Sequence, residues 1–564
     1  MKNRKRMLKV LLLLFFLAGI FPHAACAKEK ISFWVSPDGE LTAEAVLWEK
    51  GEDGYSLFLP GNADLHAWRM GYSGDGDPEI NGMSVRTGDT ADVLAEENIL
   101  RCGGKEYRLY VRQGSPGLPA MHIITETGSM DAVHRKKTNK EPGCMVLRSG
   151  SGETEYAGNL EHIKLRGNAT AIYPKKNYQI KLENGASLLG MGKAKRWVLR
   201  GSYIDKSLLR EEIAFDLAAF VGMEYVPGHA QCELYINHQY FGLYLLMEKI
   251  EPDDDRVDIA DLEKATEELN GEKLKNFRCR GSLEPAPGRY KYYDIPKDPE
   301  DITGGYILEY EGTKDGRYRS ETSAFQTKRG INILVKSPEY ASMKQMEYIS
   351  GKVQSMENAI FAKDGTDPVT GKYYTDLLDL DSFAKKYILA ELTKNYDSNS
   401  SSEYMYKPEG ARSDRIFAGP VWDFDNCMAD YARNDNKKKV MRTDGLFVSG
   451  ASGAALYWPA LYRQESFRAR VRTLYRDLFR PAVDILLGKE TDPEGVLLSL
   501  EGYAAHIRES AEMNFLKYPE LKNDMFNVST GKNPAENLEY IRRFLQERTA
   551  FLNREWIPEI VVDD

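Results

Sequence analysis

The chain has 564 residues, of which 42% are hydrophobic and 29% charged, with 33 Tyr and a formal net charge of −9. Such a length accommodates three to four domains and a large core. The acidic balance argues against nucleic acid as a partner, the more so because the first 27 residues carry five Lys/Arg and no acid.

The N-terminus, MKNRKRMLKVLLLLFFLAGIFPHAACA, has a basic head, a short apolar run and small residues at its end. This pattern predicts a secretory signal over 1–27, with Ala25-Cys26-Ala27 as the small-x-small cleavage site. The run is short for an uncleaved anchor helix, and His23 stands where a lipoprotein signal usually carries an aliphatic residue. No later stretch is long and apolar enough to span a bilayer. The expectation is a secreted, extracytoplasmic or cell-surface-associated protein without a membrane span once the signal is removed. Cleavage would leave Cys102, Cys144, Cys232, Cys279 and Cys427, widely spaced and without a CxxC pair. That set is neither a disulfide framework nor a zinc site, and has room for one pair that the spacing does not identify.

Residues 31–114 alternate apolar and polar positions between turn signals (ISFWV, YSLFLPG, ILRCGGKEYRLYV), which predicts a small accessory β-sandwich. Further β-type sequence, LPAMHIITET, leads into a Lys-rich loop at 134–140. From Leu160, the predicted strands HIKLRG and NYQIKLE flank a Gly/Asn/Thr turn, with Lys176 before the second strand and Lys181 inside it. A lysine held beneath such a turn could pair with phosphate oxygens; the plain alternative is a solvated lysine on an exposed strand face.

A helical stripe follows at Leu208, Leu209, Ile213, Leu217 and Phe220, with Asp205 or Ser207 as its N-cap and Gly222 closing it. Glu211 and Glu212 fall in its first turns. Either could pair with a strand lysine, or simply favour the helix N-terminus. Two more strands, CELYINHQYFGLYLLMEKI, turn at Asn237-His238 and end at Glu248-Lys249, from which the chain could cross between lobes. The charged, Pro-containing stretch 251–301 reads as an inserted, mobile excursion and a candidate lid. A long helix is predicted over 340–362.

Asp381-Ser382 can cap a helix with the stripe Phe383, Tyr387, Ile388 and Leu392, whose end presents Asp397 from a loop. The β-prone segments 403–407 and 415–422 then form a hairpin that returns Asp423 and Asp425 to the same edge. Paired carboxylates at one cleft can serve as a proton-accepting base and as a hard-cation ligand. A loop cap or a structural Ca²⁺ site is the chemically silent alternative. Beyond Asp430, ARNDNKKKVMRTDGLFVSGASGAAL is a polar loop expected to shape an acceptor site, and 456–558 is helical, expected to pack on the C-lobe.

RGNAT, KKNYQIKL, LLGMGKAKRWVLRGSYIDKSLLREEIAFDLA, ELYINHQYFGLYLLMEKI, GGYILE and the NYD…GPVWDFD stretch occur in this order. Together they closely resemble the spore coat protein H (CotH) kinase family over 118–480. The resemblance implies an α+β fold: a two-lobed, atypical protein-kinase-like domain behind the N-terminal β-sandwich-like module. It also implies ATP and Mg²⁺ or Mn²⁺ as cofactors, and a protein substrate with a Ser/Thr acceptor. By the same resemblance Asp397 in NYD is the catalytic aspartate and Asp423 in WDFD the metal-binding one. Lys181 is matched to the phosphate-pairing lysine, with Glu211 as a candidate partner and Arg166 close to the nucleotide. Asp425 would be a second metal-shell residue. One departure from the pattern is Ser402, where a polar Asn often stands five residues after the catalytic Asp; Asn399 is the candidate substitute. Two rivals from other classes are a catalytically weak kinase-fold surface binding or structural protein, and a metal-dependent hydrolase using Asp397 and Asp423. The absence of GxSxG and of a metal-ligating His cluster removes the usual supports for hydrolysis.

Overall fold

The computed structural model describes residues 31–167, 169–312, 315–399, 401–428, 442–449, 457–522 and 531–558. The predicted signal over 1–27 and much of the polar loop after Asp430 lie outside these.

Nine strands between Ser32 and Gln113 form a three-stranded and a six-stranded sheet. The alternating residues Phe33, Val35, Leu57, Leu59, Leu100 and Leu109 enter one core between them. Tyr235, Tyr240 and Met513 from later in the chain join that core, so the module is packed onto the body rather than tethered to it.

A closed seven-stranded barrel follows. Its strands are β1 (Ala120–Thr125), β2 (Glu141–Arg148), β3 (Thr154–Arg166), β4 (Asn177–Ala186), β5 (Ala194–Arg200), β6 (His229–Ile236) and β7 (Gln239–Glu248). Consecutive strands pair antiparallel from β1 to β5, then β5 pairs with β7 and β7 with β6. A parallel β1–β6 pair closes the ring, with Ala120 opposite Glu233. Ile163, Leu165, Tyr178, Ile180, Trp197 and Leu199 fill its interior. The period of two therefore turns His162, Lys164, Arg166, Lys181 and Arg200 to the outside. Helix α1 (Arg210–Phe220) crosses between β5 and β6; its N-cap is Leu209, with no side-chain cap, and neither Asp205 nor Ser207 takes that position, although Asp205 accepts from the Arg210 N–H at 2.8 Å across the preceding turn.

The second half is a seven-stranded sheet with helices. Helix α2 (Leu262–Asn270) is capped by Asp261 and closed by Gly271 in the left-handed region at φ +64°. Strands β8 (Cys279–Gly281), β9 (Tyr290–Tyr293), β10 (Tyr306–Tyr310), β11 (Ser323–Gln326), β12 (Asn332–Ser337), β13 (Glu403–Lys407) and β14 (Phe417–Ala418) lie in the order β8-β9-β11-β12-β10-β13-β14. The stretch 251–301 is thus no excursion. It supplies α2, the edge strand β8 and its neighbour β9, held by the Tyr290–Phe325 and Lys291–Ala324 register. Its high charge lies mostly on α2 and in the connecting turns, since β8 and β9 carry only Arg280 and Lys291.

Helices α3 (Met343–Phe361) and α4 (Leu380–Thr393) bury Met346, Ile349, Val353, Phe383, Tyr387 and Ile388 against this sheet's core. Of the C-terminal helices, α6 (Pro534–Trp556) packs on α4, whereas α5 (Leu500–Lys517) packs on barrel strand β7 and also against α6. The C-terminal region therefore spans both halves instead of buttressing one. The buried Nζ of Lys175 donates to Asn514 Oδ1 of α5 at 2.7 Å, and Ser510 Oγ of α5 donates to Glu233 of β6 at 2.7 Å. Among the described residues no helix is long and apolar enough to cross a membrane, and no disulfide joins the cysteines.

Candidate active site

Helix α4 begins at an Asp379 cap, whose side chain accepts from the Ser382 N–H at 2.8 Å. It stops at Lys394, which takes a left-handed φ of +46° and turns the chain sharply into a short 3-10 turn, Asp397–Asn399. The β13–β14 hairpin then returns the chain to Trp422 and Asp423. Asp423 also has a positive φ, +66°, a conformation in which Asp is several-fold enriched over other L-residues. Four cross-links stitch the two loops together. Asn395 Nδ2 donates to the Asp423 carbonyl at 3.2 Å, and the Tyr396 N–H to the Asn426 carbonyl at 3.1 Å. The Met428 N–H donates to the Thr393 carbonyl at 2.6 Å, and Asn426 Nδ2 to Asp397 Oδ2 at 3.2 Å. The outcome is a cluster in which carboxylate oxygens of Asp397, Asp423 and Asp425 all lie within 4.8 Å of one another.

Across this cluster sits Arg200, at the end of β5. Its guanidinium pairs with Glu211 of α1 at 2.8 and 2.9 Å, meets Asp423 Oδ1 at 3.0 Å, and lies 3.7 Å from Asp425 Oδ2. Burial opposes its charge, yet Glu211, Asp423 and Asp425 together hold its pKa above the usual value. Burial pushes the Glu211 carboxyl up against the pull of Arg200. Asp425 is pushed well above the usual carboxylate range by burial, reinforced by Asp423, Glu211 and Asp397. Three acids thus meet one buried arginine, and Arg166 lies close enough to feel its charge. The Arg166 guanidinium lies 4.6 Å from the Trp422 ring centre and forms no ion pair with any described residue. Burial lowers its pKa. On the same outer face of β3, burial and then the neighbouring cations Lys140, Arg166 and Lys137 lower the pKa of Lys164. Like charges crowded at a cleft make a receptor for a polyanion.

The structure brings together Asp397, Asp423, Asp425, Glu211 and Arg166. It does not bring in Lys181, whose ammonium pairs with Glu161 Oε2 at 2.6 Å. The reason is register: Lys181 stands opposite Arg196, four residues along β5 from Arg200, which is about 13 Å of strand. Glu211 accordingly takes an arginine from β5 as its partner rather than a lysine from β4, and Glu212 instead accepts from Gln231 at 2.8 Å. The side chain of Asn399 lies outside the described residues. Ser402 does not face the centre of the cluster as a ligand; its Oγ donates to Asp423 Oδ2 at 2.9 Å. Arg200, Asn395 and Asn426 escaped the sequence reading. Arg200 lies within WVLRGS and Asn426 directly follows WDFD, so the signal was adjacency to those motifs.

Three carboxylates at this spacing form an all-oxygen donor set of the kind that suits Mg²⁺ or Mn²⁺ rather than a soft metal. Asp423 accepts one bond on each oxygen, from Arg200 and Ser402, which leaves lone pairs on both for a cation. No curated protein matches the chain. A family model described as CotH kinase protein matches residues 163–552, from within β3 to within α6, and includes every residue of the carboxylate cluster. The chain belongs to the CotH kinase family.

Proposed function

We propose that this protein is a secreted kinase that transfers the γ-phosphoryl group of ATP, with Mg²⁺ or Mn²⁺, to Ser or Thr hydroxyls of extracytoplasmic proteins, itself included. The observation that carries this reading is the convergence of Asp397, Asp423 and Asp425 within 4.8 Å, opposite the Arg200–Glu211 pair. Phosphoryl transfer asks little covalent chemistry of a protein; it asks for positioning, charge neutralisation and a base. Asp423 and Asp425 would hold the divalent cation, which when bound draws negative charge off the transferring phosphate. Arg166 and Lys164 would meet the polyphosphate from the barrel side. Arg200 keeps Asp423 and Asp425 aimed inward and tied to Glu211. Asp397, oriented by the amide of Asn426, would accept the proton of the acceptor hydroxyl.

The test is incubation of the mature protein with γ-labelled ATP and Mg²⁺ or Mn²⁺, beside Asp397→Ala and Asp423→Asn. Label in the wild type and at least a hundredfold less in both variants is the expected outcome. Equal labelling in all three, or none in the wild type, would sink the reading.

A further inference from the structure

Strand β3 presents Lys164 and Arg166 on the outer face of the barrel, because Ile163 and Leu165 fill its interior. Beside it runs β2, in which Glu141 stands opposite Ile163. One step back along this antiparallel pair brings Lys140 alongside Lys164. Strand geometry then places the two backbones about 5 Å apart, with Arg166 about 7 Å further along the same face. Lys140 is the strongest of the neighbouring cations acting on Lys164. It also acts on His162, which burial and then Lys140 bring down to about 4.

Like charges directly opposite one another weaken a sheet, so folding gains nothing from this pair. A fully solvated lysine can swing away from its neighbour, but Lys164 is half-buried and Arg166 is held 4.6 Å from the Trp422 ring centre. Among the described residues Lys140, Lys164 and Arg166 form no ion pair. Glu161, close by, is committed to Lys181 at 2.6 Å. Glu339 of the second half, which favours the charge of Lys164, stands beyond ion-pair distance of it. In a chain of net charge −9, a row of cations left without carboxylates calls for an anion from outside. The row leads inward, since Arg166 feels the charges of Asp423 and Glu211.

We propose that Lys140 completes, with Lys164 and Arg166, a subsite for a chain of linked phosphates that runs along the barrel face to the carboxylate cluster. The proposal rests on the phosphoryl-transfer reading for the place of its ligand. It adds Lys140, which lies outside the residues 163–552 matched by the family model. A lone phosphate is too short to engage all three cations, whereas a nucleoside triphosphate and a free inorganic polyphosphate share the required chemistry. An acidic peptide fits less well, because successive side chains of an extended chain point to opposite faces and cannot all follow the row.

Titration calorimetry on the full chain with Mg²⁺ would compare ATP, inorganic tripolyphosphate and a short polyglutamate peptide, each on wild type, Lys140→Gln and Lys140→Arg. Lys140 is exposed, so neither substitution threatens the fold. The expected result is a Kd raised about fivefold or more by Lys140→Gln for both phosphate probes, and restored to within about twofold of wild type by Lys140→Arg. Urea unfolding without ligand should give Lys140→Gln a midpoint no lower than the wild type's, because the substitution relieves repulsion. A rise confined to ATP assigns the subsite to the nucleotide's own phosphates, and one confined to tripolyphosphate assigns it to a free chain; either upholds it. It is overturned by a wild type that binds neither phosphate probe, by Kd values unmoved in Lys140→Gln, by a loss of affinity that comes with a lower urea midpoint, or by Lys140-dependent binding of polyglutamate alone. A wild type that binds the phosphate probes through Lys140 but transfers no phosphate would end the kinase reading and leave the subsite standing.

Discussion

Arg200 is the residue on which the carboxylate cluster turns. A planar fork can serve Glu211 and Asp423 together, which a point-charge ammonium cannot. Arg200→Lys is therefore expected to preserve the fold, because a cation still opposes the buried acids, while lowering phosphoryl transfer roughly 100-fold through misplacement of Asp423. Steady-state kinetics alongside circular dichroism would check both halves. The placing of the three aspartates together was legible in the sequence because acids in short loops after an amphipathic helix and a hairpin have few ways to be placed, whereas the sequence left Glu211 and Glu212 as equal candidates. Arg200 was not. A strand basic residue offers no signal of its own, and which of Lys176, Lys181, Arg196 or Arg200 meets Glu211 depends on register and on the direction in which α1 leaves the barrel.

Among the elements, α4 carries the most. Its stripe of Phe383, Tyr387, Ile388 and Leu392 is buried as the spacing predicts. Its start is two residues earlier than expected, because Asp379 caps it, while Asp381 in the first turn pairs with Arg470. The two aspartates are thereby separable. Asp379→Ala is expected to lower stability by about 1 kcal/mol through loss of the cap. Asp381→Ala should stay within about 0.5 kcal/mol, since its ion pair is 35% and 50% exposed on its two sides. Urea unfolding of the two variants would decide it, equal effects counting against the assignment. The stretch 251–301 shows the opposite limit of the sequence: composition read as a loop, but cross-strand pairing at Tyr290 and Lys291 made it the edge of a sheet.

At the scale of the molecule, the N-terminal module, the barrel and α5 meet at Glu233. It is fully buried, accepting from the Gly61 N–H at 2.9 Å and from Ser510 Oγ at 2.7 Å. Burial raises its pKa from 4.5 to about 7, against the pull of those two donors. Because the folded pKa lies above the unfolded one, the contribution of this group to stability is complete below pH 4.5 and lost as pH rises to about 7. Glu233→Gln removes that titration. The difference in unfolding free energy between wild type and variant should shift against the wild type by about 1.4 kcal/mol per pH unit between pH 5 and 7. A difference that does not change with pH would refute the assignment.

The order of motifs, the helix that leads to Asp397 and the hairpin that returns Asp423 are local facts, set by hydrophobic period, turn residues and spacing, and one sequence is enough to read them. Strand register, the choice of Arg200 over Lys181 and the division of the C-terminal helices between barrel and sheet depend on groups brought together from separate elements, or on alignments where a shift of one position reverses every side chain. Only packing the whole chain into one core resolves those, because each is a competition among nearly equivalent local partners that burial alone decides.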